Sequence, residues 1–232
     1  FRTMRGKFTK TDATDAEMLA LFAQKMEPEA RPVPTAEEKE LKELTARRRQ
    51  LVLLVTSERN RLRRACAEPV KDSIRRIIAL LEDEKTEIEA LMQERIEAIA
   101  NYKQIYDLLM TVPGIGPAVA ATLVTELPEL GTLKAKQIAS LVGVAPHAKE
   151  SGKTYGKATT KGGRKCARAA LYMAAITGAR CNPALRPFYL RLVKEGKPKK
   201  VALVAVMRKL IIIANQMVKQ NRPWQNEFTI AT

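Results

Sequence analysis

Between residues 35 and 103 the chain is written almost wholly in helix-favouring residues, and this stretch constrains the fold more than any other. Thr35 stands where a helix N-cap belongs, with Glu37 and Glu38 in the first turn, where the helix dipole favours acids. Leu41, Leu44, Leu51, Val55, Glu58 and Leu62 then follow a three-to-four spacing. Pro69 interrupts the pattern. A second run puts Ile74, Ile77, Leu81, Ile88, Leu91 and Ile99 on one stripe, with Glu, Lys and Arg dense elsewhere. Two long charged helices joined by a short break predict an antiparallel hairpin or coiled coil. An ordinary helix pair within a bundle is the alternative. Either way this segment is scaffold or oligomerisation surface, and a dimer or larger homo-oligomer is expected.

Aromatic residues make up only 5% of the chain, while Ala, Leu, Ile, Glu, Lys and Arg dominate. A mainly α protein follows. Its expected parts are three: residues 1–34, a short helix and a Pro-broken linker; residues 35–103, the helical hairpin; and residues 104–232, a compact helical domain. Short strands are expected near Val142 to Ala145 and Lys153 to Lys157.

The net charge is +16, and it is unevenly placed. Residues 151–232 carry 17 Lys/Arg against 2 Asp/Glu, so nearly all the excess sits in the last third. A one-sided charge of this size calls for a polyanion. A membrane surface is the weaker candidate: no apolar run reaches spanning length, the longest lying around Leu210 to Ala214, and no signal peptide is visible. Nucleic acid is the better partner. Cys66, Cys166 and Cys181 are odd in number and far apart, which suits a reducing cytoplasm and makes no metal pattern. His147 is the single histidine, so mechanisms built on several histidines are excluded.

Three motifs could carry chemistry. The first is Val112-Pro113-Gly114-Ile115-Gly116 between an apolar helix end and an Ala/Val-rich helix, a helix-hairpin-helix signature. Gly114 and Gly116 would tighten the turn and bare backbone N–H groups toward a phosphate; a structural αα-corner is the competing reading. The second is the loop from Ser151 to Arg164, which interleaves Gly, Lys and hydroxyl residues and leads into a helix near Arg164. It lacks a Walker pattern. Lys153, Lys157, Lys161, Arg164, Lys165 and Arg168 are the cations expected to meet a nucleic-acid backbone. A basic loop that only tracks that backbone is one reading. The other makes a hydroxyl the nucleophile toward a phosphodiester, with Ser151, Thr154, Tyr155, Thr159 and Thr160 as candidates that composition does not separate. The third is Asp12 and Asp15, three apart at a helix start and so able to share a divalent cation. Acids in a first helical turn also serve the dipole, which is the mundane alternative.

Read in order, Lys10-Thr11-Asp12-Ala13-Thr14-Asp15-Ala16, the charged hairpin, Val112 to Gly116, Ala139 to Pro146, Ser151-Gly152-Lys153 and Gly162-Gly163-Arg164 entering Ala169 to Ala175 resemble one family. It is the DEDD-type insertion-sequence transposases with a RuvC-like N-terminal domain, the bridge-RNA-guided recombinases. The resemblance spans essentially the whole chain. It implies that residues 1–34 are the remnant of an α/β RuvC-like domain and residues 104–232 a helical transposase domain. It implies a serine nucleophile at Ser151, and Asp12 and Asp15 as the last two acids of a Mg²⁺ site. It also implies a structured guide RNA, DNA as substrate, a prokaryotic, nucleoid-associated cytoplasmic setting, and active sites shared between subunits. Lys153, Lys157 or Arg164 would then help neutralise the transition state. The first Asp and the Glu of the four acids belong upstream of Asp12, where nothing supplies them. With Phe1 in place of a starting Met, the expectation is a piece of a longer protein, inactive by itself. The alternative function is a non-catalytic DNA- or RNA-binding protein that uses the helix-hairpin-helix and the basic tail.

Overall fold

The computed structural model describes residues 11–27, 33–151 and 154–225; for residues 148–151 and 154–158 it describes the backbone. Among the described residues the chain is helical apart from one two-stranded sheet. It divides into two units, Phe1–Thr35 and Ala36–Thr232.

In the first unit the described element is α1, Asp12–Met26. Thr11 caps it through a reciprocal box. The Thr11 hydroxyl accepts from the Thr14 N–H at 3.2 Å, and the Thr14 hydroxyl accepts from the Thr11 N–H at 3.0 Å. The helix ends at Glu27, whose backbone is left-handed at φ 40°.

The second unit opens with α2, Ala36–Arg64, and α3, Glu68–Ala98, joined by three residues. Pro69 lies in the first turn of α3, where its missing N–H costs nothing. The pair is antiparallel, as the cross-links Arg48 to Glu89 at 2.6 Å and Arg59 to Glu82 at 2.7 Å show. Leu41, Leu51 and Val55 are buried on α2, as the spacing predicted. On α3 the inward stripe runs instead through Ile74, Ile78, Leu81, Ile88, Met92 and Ile96. Ile77 and Leu91, expected on it, are 44% and 42% exposed. A 3.6-residue turn drifts over 31 residues, so one fixed stripe cannot be extrapolated along the whole helix. From residue 56 to residue 91 nothing is fully buried. That half of the hairpin is two helices in solvent.

The other end of the hairpin merges with a bundle. Its members are α4, Ala100–Met110; α5, Pro117–Glu126; α6, Ala135–Val142; α7, Lys165–Cys181; α8, Leu185–Lys194; and α9, Lys199–Gln220. Leu41, Met92 and Ile96 of the hairpin join Leu109, Leu123, Leu127, Ile138, Leu171, Leu185, Leu210 and Ile211 in one continuous core. Buried leucines and isoleucines of this kind contribute about 1.5–3 kcal/mol each by transfer from water. Thr45 on α2 and Thr125 on α5 meet through their hydroxyls at 3.4 Å inside that junction. Two buried asparagines tie loops to helices. Asn215 of α9 accepts from the Gly131 N–H at 2.9 Å and donates to the Leu133 carbonyl at 2.8 Å.

Helix α9 is long and apolar enough to cross a membrane, which the sequence reading did not anticipate. Its apolar face is instead the centre of the bundle, with Val206, Met207, Leu210, Ile213, Ala214 and Met217 buried there. The strands are β1, Pro146–Ser151, and β2, Thr154–Thr160. They pair antiparallel from Pro146↔Thr160 to Ser151↔Thr154, with a bulge between His147 and Lys149. The expected strand near Val142 is the end of α6, because Gly143 at φ +80° closes that helix in the left-handed region.

Candidate functional site

The hairpin β1–β2 carries the candidate nucleophile, and its base lies against the end of α6. Ser151 ends β1 and faces Thr154 across the last rung of the ladder, while Gly152 and Lys153 lie outside the described residues. Tyr155 and Lys157 are placed by backbone on β2. Thr159, Thr160 and Lys161 follow and are exposed.

Below them the chain turns through Gly162 and Gly163, both with positive φ. A Cβ on Gly163 would stand 2.3 Å from the Gly143 nitrogen, so only glycine lets this turn lie against the end of α6. The Arg164 N–H donates to the Leu141 carbonyl at 2.9 Å and completes the junction. The Arg164 guanidinium then forks onto Glu129, with two N–H to carboxylate bonds of 2.6 Å, and also reaches the Glu126 carbonyl at 2.5 Å. Bonding to Glu129 holds Arg164 above its ordinary range, against the opposing effect of burial. Arg168 donates to the Gly162 carbonyl. Two of the six cations assigned to nucleic acid thus already brace the hairpin's base. Lys161 and Lys165 are exposed at the same junction.

The Val112 to Gly116 segment forms the turn between α4 and α5. Gly114 has φ +107°, and a Cβ there would meet the Gly178 nitrogen of α7 at 2.8 Å. Asn182 donates to the Pro113 carbonyl at 2.9 Å and accepts from the Ala184 and Leu185 N–H groups, fixing the turn to the α7–α8 corner. Gly114 is therefore explained by packing. Gly116 differs: it caps α5, and a Cβ there would meet nothing within 4 Å. After α9 the chain returns to this turn, where the Trp224 N–H donates to the Thr111 hydroxyl at 2.9 Å.

Asp12 and Asp15 occupy the first turn of α1, Asp12 exposed and Asp15 half-buried. Among the described residues no three carboxylate, histidine or cysteine side chains gather as a metal site would. The two acids supply oxygen donors of the right kind for Mg²⁺, which is commonly held by one or two carboxylates with substrate phosphate oxygens. Residues that sequence reasoning missed are the positioning ones: Glu129, Gly143, Gly178 and Asn182. Glu129 lies 35 residues from Arg164 and Asn182 lies 69 from Pro113, so no local pattern announces them.

Comparison with known proteins identifies the family. Residues 106–190 match the model described as Transposase IS116/IS110/IS902 family, and residues 1–68 match a second transposase model, of the DEDD IS110 type. The pilin gene-inverting protein of Moraxella bovis is 31% identical over 220 residues, covering 93% of this chain and 68% of that protein. Its namesake in Moraxella lacunata matches to the same extent. An uncharacterized 43.6 kDa protein of insertion element IS110 from Streptomyces coelicolor is 28% identical over 131 residues, 55% of this chain and 32% of that one. The class is therefore that of transposases, whose substrate is DNA. Within it, the chain belongs to the IS116/IS110/IS902 family.

Proposed function

We propose that the chain is the greater part of a DNA recombinase that cuts and rejoins DNA through Ser151, and that its reaction resembles the DNA inversion named in its Moraxella relatives. The observation that carries the reading is Ser151's position at the end of a strand hairpin whose base is locked to the bundle by Gly163 and the Arg164–Glu129 fork. A nucleophile on a rigid base needs little reorganisation to reach a phosphate.

The Ser151 oxygen forms a bond to the scissile phosphorus as the bond from phosphorus to one nucleoside oxygen breaks. The serine proton ends on the departing hydroxyl, and the phosphoserine keeps the bond energy for rejoining. Lys157 and Lys161 belong to the same segment and stabilise the anionic transition state, with Lys153 as a further cation. Asp12 and Asp15 would hold Mg²⁺, which when bound supplies charge neutralisation at phosphate oxygens. Lys165, Gly116 and the start of α5 contact the DNA backbone. A structured RNA guide, a cytoplasmic nucleoid setting and a homo-oligomer complete the reading. The last is supported by Leu53 of α2 and Leu80 of α3, which are 64% and 57% exposed.

The test uses the longest natural form of the protein with Mg²⁺, candidate DNA, and RNA from the flanking region. A covalent protein–DNA adduct is expected, lost in Ser151→Ala together with strand exchange, while DNA binding persists. Normal recombination by Ser151→Ala would sink the assignment; dependence of exchange on added RNA decides the guide.

A further inference from the structure

Helices α8 and α9 hold a concentration of charge that the Ser151–Arg168 segment does not include. From residue 185 to residue 220 there are nine Lys/Arg and a single acid, Glu195. Two of these cations share one ring: Lys209 Nζ lies 4.9 Å and Arg191 Cζ 5.4 Å from the centre of Phe188. Arg191 reaches Glu195 only at 3.7 Å. Burial, and then the nearby Arg191 charge, push the half-buried Lys209 ammonium below its ordinary value. The ring quadrupole favours each cation, but Lys209 is partly desolvated beside a like charge, and the one acid paired with either of them is Glu195, on Arg191.

The arrangement extends along the hairpin of α8 and α9. Lys194, Lys197, Lys199 and Lys200 crowd its turn and are exposed. Nine cations against one acid in this hairpin call for a polyanion, and the family acts on DNA, whose phosphodiester backbone is one. We propose that the α8–α9 face centred on Phe188, Arg191 and Lys209 is a second nucleic-acid backbone site, distinct in sequence from the segment bearing Ser151. The proposal rests on the recombinase reading and adds to it a place where a second stretch of phosphodiester backbone is held. DNA and RNA backbones share this chemistry, and the assay separates them.

Salt-dependent binding is measured on a short duplex DNA and on a single-stranded RNA of equal length. The variant is Arg191→Gln/Lys194→Gln/Lys209→Gln. A charge-matched control is Arg47→Gln/Arg63→Gln/Arg76→Gln on α2–α3, where all three residues are exposed. For each contact removed, the slope of log affinity against log salt is expected to flatten by about 0.9 on duplex DNA or about 0.7 on a single strand. The control should leave it unchanged. Flattening on one nucleic acid alone identifies which one uses the face. If the first variant fails to fold, Lys194→Gln/Lys197→Gln/Lys200→Gln at the exposed turn asks the same question without disturbing Phe188.

Equal flattening in variant and control, or none in either, overturns the proposal. So does loss of binding to anionic-lipid vesicles with nucleic-acid binding intact. Unchanged slopes in a protein that still forms the Ser151 adduct reject this site alone, whereas a wild-type chain that binds neither nucleic acid overturns the recombinase reading as well.

Discussion

Helices α3 and α9 are both long, yet they are stabilised in opposite ways. Of the 31 residues in α3 two are buried, Met92 and Ile96, both near the bundle; α9 buries nine of 22 along its length. The first is a solvated helix held to α2 by a narrow stripe and by pairs such as Arg59–Glu82. The second is the axis of a core. Most of the positive excess accompanies the second region, while the α2–α3 hairpin mixes both signs. A helix whose charges are paired along its own surface needs no partner for them. A bundle that buries its apolar residues and keeps cations outside turns an unbalanced surface to solvent, and DNA is the polyanion its family acts on. The contrast places the candidate chemistry on the stiff region and leaves the other as an arm.

That contrast can be broken by experiment, most forcefully in the core. Leu171→Ala, at a site with no exposure, is expected to cost about 2–5 kcal/mol, whereas Ile78→Ala on the solvated half of α3 should cost far less; urea unfolding of both variants checks it. Comparable losses would mean that the hairpin tip is packed against something. Next comes Gly114→Ala, which meets both a left-handed φ and the α7 backbone. A loss of about 1–3 kcal/mol is expected from the strain alone, and Gly116→Ala, with open space around it, should be milder. Thermal melts that rank the two glycines the other way would reject the packing explanation.

Glu129→Ala leaves Arg164 half-buried without its carboxylate. About 1–3 kcal/mol should be lost, and limited proteolysis should become faster between Pro146 and Lys161. Glu129→Gln, which keeps an acceptor, should recover part of both effects. Unchanged cleavage would show that the fork does not brace the hairpin. The smallest effect is expected on the arm: reversing Arg59 and Glu82 singly should cost no more than about 1 kcal/mol, and the double reversal should restore most of it. A larger coupling in a double-mutant cycle would make the arm less solvent-like than its exposure indicates.

How far the sequence could be read follows from the range of each interaction. Leu41, Leu51 and Val55 were legible because they repeat within a few turns of one helix. The start of α7 just after Arg164 was legible from the two glycines before it. Ile77 and Leu91 were misplaced because helical phase accumulates over eight turns, and the strand expected near Val142 was misplaced because Gly143 ends a helix there. For the candidate site, the hydroxyl-rich basic segment stood out by composition, yet its choice of Ser151 came from family resemblance. That Arg164 and Arg168 brace the turn could not be read from the chain, since a cation looks the same whether its partner is a distant glutamate, a neighbouring carbonyl or a phosphate.

By itself the sequence determined a mainly helical chain, a charged hairpin in its middle and a basic last third, because periodicity and charge are properties of neighbours along the backbone. The tertiary structure alone decided which glycines are steric necessities, which cations are already engaged and that the most apolar helix is a bundle axis. Those depend on surfaces brought together from far apart, where close packing leaves no room for a Cβ and a buried charge must find its countercharge.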